Sequence, residues 1–299
     1  MVIIPRIPWL RLLKDLRIPF LFITLYMGAI SYFDLYEHIF HFTIPLGLIS
    51  VPGTVIGLLV AFRTNSAYDR WWEARIIWGA IVNDSRSFVR QITSFTNYDK
   101  HPNEQIREMA LRQSAWCYCL SSSLRNKDPF EHIKSLISDG EIKNLKNSQN
   151  VPNDLLQIQS QMLHDLKEKN LINQFQHVQI DSTIARLTDH MGKCERIKKT
   201  VFPVMYSLLV DLLIYMFILF LPFSLLDPLG YALIPTTISL SLAFLSVDRI
   251  SFYLQDPFEN QPSDTPMLAL SRTIEINIRQ QLKENVLPDK IEPKNGVLM

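Results

Sequence analysis

Two uncharged stretches near the start of the chain and two near its end frame a polar, charged middle. Residues 18–33 and 42–62 carry no charge, and of the later runs, 201–226 and 231–247, only the first is interrupted, by Asp211. Spanning a bilayer takes about 20 apolar residues, so these runs predict four transmembrane helices, the first of them short. From about residue 73 to 199 the apolar positions recur at helical spacing, as in Ile76, Ile77, Ala80, Ile81, Phe88 and Ile92. Further amphipathic stretches follow at 104–125, 130–145 and 153–168, with an exposed loop at 143–152 and a long helix at 181–199. The expected fold is an all-α membrane protein. Its expected divisions are an interfacial segment 1–17, helices 1 and 2 at 18–62, a helical cytoplasmic domain at 63–199, helices 3 and 4 at 200–249, and a cytoplasmic tail at 250–299.

The second run is the most informative. Its apolar part ends abruptly at Arg63; a polar turn is expected at 63–67, then an interfacial girdle with Tyr68, Trp71 and Trp72 at headgroup depth. Two stripes run through it at i, i+4, i+8. Gly53, Gly57 and Ala61 form a small-residue face that lets helix backbones approach closely. Thr54, Leu58 and Phe62 form the other, about 100° round the helix. Either could pack against a neighbour or face a pore, and pattern alone assigns neither. Pro45, Pro52, Pro203 and Pro222 free backbone carbonyls in these runs, which a membrane tolerates where neighbours or water satisfy them.

Charge placement then gives an orientation. Arg6, Arg11, Lys14 and Arg17, the arginines of 63–75, Lys198, Lys199 and Arg249 all fall on one side of four spans. The two connections on the other side, 34–41 and 227–230, contain no Lys or Arg. Positive residues stay inside, so both termini and the middle domain are expected in the cytoplasm, with the spans in the inner membrane.

The 299 residues carry a formal net charge of +1, which gives no reason to expect nucleic acid as a partner. Cys117, Cys119 and Cys194 lack disulfide or zinc spacing and read as inert buried thiols. No nucleophile elbow, phosphate loop, dinucleotide fingerprint or HExxH occurs. No enzyme, cofactor or metal centre is therefore expected. His38 and His41 beside Glu37 could hold a divalent ion, but no third distant ligand is visible and a solvated loop is the favoured reading. The other histidines, at 101, 132, 164, 177 and 190, read as surface residues. Asp211, about 15 Å into its run at ~1.5 Å per residue, is the one acid well inside a span. Such a group faces a bundle interior or a water-filled cavity, as a functional charge or as the partner of a Ser or Tyr nearby.

Three groups of residues resemble the bestrophin family, specifically its bacterial branch. They are FRTNSAYDRWWEAR at 62–75 with Trp78 and Gly79; Cys194, Glu195, Arg196 and Ile197 ahead of Pro203 and Tyr206; and Asp256, Pro257 and Phe258 with Asp264 and RTIEIN at 272–277. The resemblance implies a homopentameric channel for small inorganic ions, chloride being the expected one, with its pore on the five-fold axis. It assigns Thr54, Leu58 and Phe62 to the pore neck and Gly53, Gly57 and Ala61 to helix packing. Thr54 departs from the family's bulky apolar residue there. A hydrophobic constriction gates by dewetting, so Leu58 and Phe62 carry most of the expected barrier. The resemblance also makes Ile184 the candidate cytoplasmic aperture and Asp211 a candidate vestibule charge, which would favour cations. Asp256, Glu259 and Asp264 match an acidic clasp that holds calcium in animal members. Three acids fall short of the roughly 6–8 oxygen ligands calcium takes, so calcium gating is not expected.

Overall fold

The computed structural model describes residues 9–33, 44–200, 202–293 and 296–298. Glu37, His38 and His41 lie outside the described residues. Helices dominate throughout: α1 Trp9–Tyr32, α2 Leu46–Phe95, α3 Glu104–Leu124, α4 Asp139–Leu145, α5 Val151–Glu168, α6 Gln174–Lys199, α7 Val204–Leu229, α8 Leu233–Gln255 and α9 Met267–Gln281. The chain divides into two compact units. Of the described residues, those up to Arg70 and from 202 to Asp256 form a span unit, and Trp71–Thr200 with those from Pro257 onward form a helical unit. The change from one unit to the other falls after Arg70 and after Asp256.

In the span unit, α1 packs on α8 and α8 on α7, around a core that includes Met27, Ile56, Val60, Val210 and Ile214. Among the described residues three helices are long and apolar enough to cross a membrane: α2, Val204–Leu226 and α8. The first predicted span differs. Helix α1 begins at Trp9 and runs unbroken through Arg11, Lys14 and Arg17 into the uncharged run. Its uncharged part, 18–32, is about 22 Å long at ~1.5 Å per residue, short of a ~30 Å hydrocarbon core. Pro45 and Pro203 stand just before the first residues of α2 and α7, where a missing N–H costs nothing. Pro52 and Pro222 lie inside a helix, as Pro19 does in α1. The α7–α8 turn needs a positive φ, and Gly230 supplies it at +48°.

The expected turn at 63–67 is absent. Helix α2 continues for 50 residues, because no proline interrupts it after Pro52 and its polar side chains bond back to their own helix. The Thr54 hydroxyl donates to the Ser50 carbonyl at 2.9 Å and Thr64 to Val60 at 2.8 Å. Its buried positions recur at spacings of three, four and seven: Ile49, Ile56, Val60, Arg63 and Ala67, then Ala74, Ile77, Ile81, Phe88 and Ile92. That spacing keeps one face of the helix inward along its length.

In the helical unit, α3 packs against α5, α6 and α9 and is buried on nearly every side, including Arg112, Gln113, Ser114, Ser121 and Ser122. Its sequence reads as amphipathic because those polar residues look like a solvated face. Inside, two of them find partners: Arg112 makes a bidentate pair with Glu141 at 2.7 Å, and the Gln113 amide donates to Ser85 at 2.9 Å, whereas Ser114 Oγ is buried without a hydrogen bond. The predicted helix 130–145 survives only as α4; turns occupy the stretch before it. Asn103, Ser138, Asn150 and Asn173 cap α3 to α6 by accepting first-turn N–H bonds. Asn97, Asn126 and Asn170, with positive φ, follow the ends of α2, α3 and α5.

Candidate functional site

Helix α2 offers a line that its own chain leaves open. Leu58 is 69% exposed and Phe62 60%; Thr54 is exposed too, with its hydroxyl already spent on Ser50. Past Phe62 the same face continues with exposed Asn65 and Asp69. The start of α7 braces this segment from the side. The Tyr206 hydroxyl donates to the Leu59 carbonyl at 3.0 Å, and its ring lies 5.8 Å from that of Phe62. The small-residue stripe behaves less uniformly than its spacing suggests. A Cβ on Gly53 would meet the Phe217 ring at 3.0 Å, so α7 approaches there. Nothing lies within 4 Å of a Cβ on Gly57, and Ala61 is exposed. Within the subunit the packing face is instead Ile49, Ile56 and Val60, because burying apolar area outweighs close backbone approach.

Asp211 is paired, and its partner is neither Ser nor Tyr. One nitrogen of Arg63, Nη1, donates to Asp211 Oδ1 at 3.1 Å and to Asp248 Oδ1 at 2.6 Å. The three side chains come from α2, α7 and α8 and are 6%, 44% and 13% exposed. Asp211 is seven residues past the first residue of α7, about 11 Å along it at ~1.5 Å per residue. A lone charge there would be costly; the guanidinium answers two carboxylates at once. The triad borders a cavity of about 270 Å³ that Ser207, Arg249 and Phe252 also line. Arg63 and Asp248 carry no sign of this role beyond being charges at the ends of apolar runs. The usable signal was that an acid inside a span demands a cation at similar depth.

Other expected sites fare differently. Ile184 is 4% exposed, packed in the core of the helical unit. A side chain spent on its own subunit's core has no surface to offer an axial aperture, so that assignment is withdrawn. Of the three clasp acids, Glu259 pairs with Lys198, and Asp264 is buried, accepting the Gln261 N–H at 2.8 Å. Asp256 is the cap residue that ends α8. No group of three His, Cys, Asp or Glu able to hold a metal occurs among the described residues. His190 is no surface residue: 14% exposed, it sits 3.0 Å from Asp84, which Arg186 also grips. The three cysteines are buried and free. Burial pushes the Cys117 and Cys194 thiols up to about 12 and raises Cys119 as well.

The residues that carry the resemblance hold the fold together at several points. In the span unit Arg70 Nε donates to the Gln255 carbonyl at 2.9 Å. In the helical unit the Trp71 indole donates to Ser263 at 2.7 Å, Glu73 pairs with Arg196, and Phe258 is fully buried. Tyr118, its hydroxyl pKa raised by burial, donates to Glu275 at 2.7 Å and accepts from Arg272 at 2.9 Å, tying α3 to α9. Arg86 donates to Asn277 at 2.9 Å, adding α2.

Long apolar helices, a charge triad centred on the buried Arg63 among them and an all-helical unit define a helical membrane protein with polar machinery inside its spans. The chain belongs to the bestrophin family: residues 7–280 match the family described as Bacterial/Fungal Bestrophin protein. It is 31% identical over 231 residues to the voltage-dependent anion channel-forming protein alr2987 of Nostoc sp., covering 76% of this chain and 75% of that one. It is 29% identical over 244 residues to the voltage-dependent anion channel-forming protein YneE of Escherichia coli (strain K12), covering 82% and 79%. The crystal structure of a bacterial bestrophin homolog from Klebsiella pneumoniae superimposes with a TM-score of 0.80 at 26% identity, over 89% of this chain and 98% of that one.

Proposed function

We propose that this protein is a passive anion channel of the inner membrane, a homopentamer in which each subunit contributes four spans and keeps both termini and the helical unit in the cytoplasm. Thr54, Leu58 and Phe62 form the neck of its pore. The observation that carries the reading is the open line on α2: two bulky apolar side chains, Leu58 and Phe62, left uncovered on a helix whose buried face lies elsewhere. Five copies around an axis give that line a common space, and two apolar rings there form a barrier that opens by wetting. Relatives named as anion channels supply the sign of the ion. Asp211 does not oppose that sign. Asp211 and Asp248 face Arg63 and Arg249 around one cavity, so formal charges cancel and no net negative field is left to select cations. A cation-selective channel of the same architecture is the second reading, favoured only by the 44% exposure of Asp211. Reversal potentials of the reconstituted protein across a potassium chloride gradient decide between them. A shift toward the chloride equilibrium potential is expected; a shift toward that of potassium overturns the anion reading, and absence of current at any voltage overturns the channel.

A further inference from the structure

The span unit holds a second cavity. It is a trough of about 400 Å³ lined by Ile18, Phe22, Tyr26, Tyr215, Ile218 and Leu219, a crevice between α1 and α7. At its far end the Tyr26 hydroxyl donates to the Leu219 carbonyl at 2.6 Å. Tyr215 also lines the charged cavity beside the Arg63 triad, so the two spaces share a wall. Along α7 the charged cavity occupies Val204 to Tyr215 and the trough Tyr215 to Leu219. At ~1.5 Å per residue the apolar space reaches about 12 Å beyond Asp211 toward the middle of the span. A polar chamber at the helix end with an apolar trough running inward from it has the order of polarity of a lipid's head group and the upper part of one acyl chain.

We infer that each subunit binds one glycerophospholipid with a zwitterionic, amine-bearing head, its head beside the triad and an acyl chain between α1 and α7. The charges specify the head. Arg249 makes no hydrogen bond or ion pair among the described residues, and Ser207 keeps its hydroxyl free there, so both are available to a phosphate. Asp211, half exposed, keeps a carboxylate edge for an ammonium group. Two arginines against two aspartates give a net anionic head no advantage, and a trimethylated amine cannot donate a hydrogen bond to Asp211. The inference rests on the membrane embedding in the proposed function, not on the pore.

The test is native mass spectrometry of the full-length protein released from nanodiscs of equal parts phosphatidylethanolamine, phosphatidylcholine and phosphatidylglycerol. One phosphatidylethanolamine per subunit is expected to be retained over the other two. Leu219→Trp, filling the trough from an exposed position, is expected to lower its occupancy, and Arg249→Gln, removing the phosphate partner, to lower it about ten-fold, the scale of one lost charge-assisted contact. Leu208→Trp, exposed on α7 outside both cavities, is expected to leave it unchanged. Preferential retention of phosphatidylglycerol or phosphatidylcholine overturns the head assignment. Retention that neither Leu219→Trp nor Arg249→Gln reduces overturns the site. Either result leaves the reversal potentials, and with them the channel reading, untouched.

Discussion

At the scale of single residues, the Arg63 triad is where chemistry and stability meet. Removing one member of a buried ion pair leaves the other charge without its partner and costs about 3–5 kcal/mol. Arg63→Ala strands two carboxylates and is expected to lower the melting temperature in detergent most. Asp248→Asn, 13% exposed, comes next, and Asp211→Asn, 44% exposed and screened by solvent, least. Melting temperatures equal to that of the wild type for all three would show that the triad bears no structural load. The sequence made Asp211 visible as an anomaly and left its partners hidden, since Arg63 lies 148 positions away and no local rule relates them. The cysteines were legible for the opposite reason: isolated thiols in apolar surroundings are ordinarily inert, and here burial holds them protonated.

At the scale of elements, α2 is the helix most nearly read and most misread. Its apolar run and both stripes stand in the sequence. The expected break at 63–67 arose from taking a change in polarity for a change in backbone. A helix needs only satisfied hydrogen bonds to continue, and α2 keeps its inward spacing while its outward side chains turn from apolar to polar. Asn65→Pro discriminates: in a turn it would be tolerated, whereas within α2 it is expected to cost about 3 kcal/mol or more, seen as a loss of folded yield or melting temperature. For the proposed neck, Leu58→Ala with Phe62→Ala is expected to raise single-channel conductance in planar bilayers. Currents equal to wild type would remove these residues from the barrier. Helix α3 shows the converse difficulty, for its polar residues read as a wet face although α5, α6 and α9 enclose them, and only Arg112 and Gln113 gain side-chain partners there.

At the scale of the whole molecule, the open line on α2 is the surface that assembly must explain. Exposed apolar surface within a span can face lipid or another subunit, and the proposed neck requires an axis. Native mass spectrometry in mild detergent is expected to give five copies; a monomer or dimer would leave Leu58 and Phe62 facing lipid and remove the pore.

The sequence by itself determined that this is an all-helical membrane protein of the bestrophin family. Hydropathy runs are local, and the motifs around Arg63, Arg196 and Arg272 are contiguous enough to read. Its charge asymmetry also supplied the proposed orientation. Tertiary structure alone decided that Arg63 joins Asp211 and Asp248, that Ile184 belongs to the core, and that Gly53 but not Gly57 meets α7. Each of these depends on which helix lies alongside which, and periodicity fixes the face of a helix without naming what covers it.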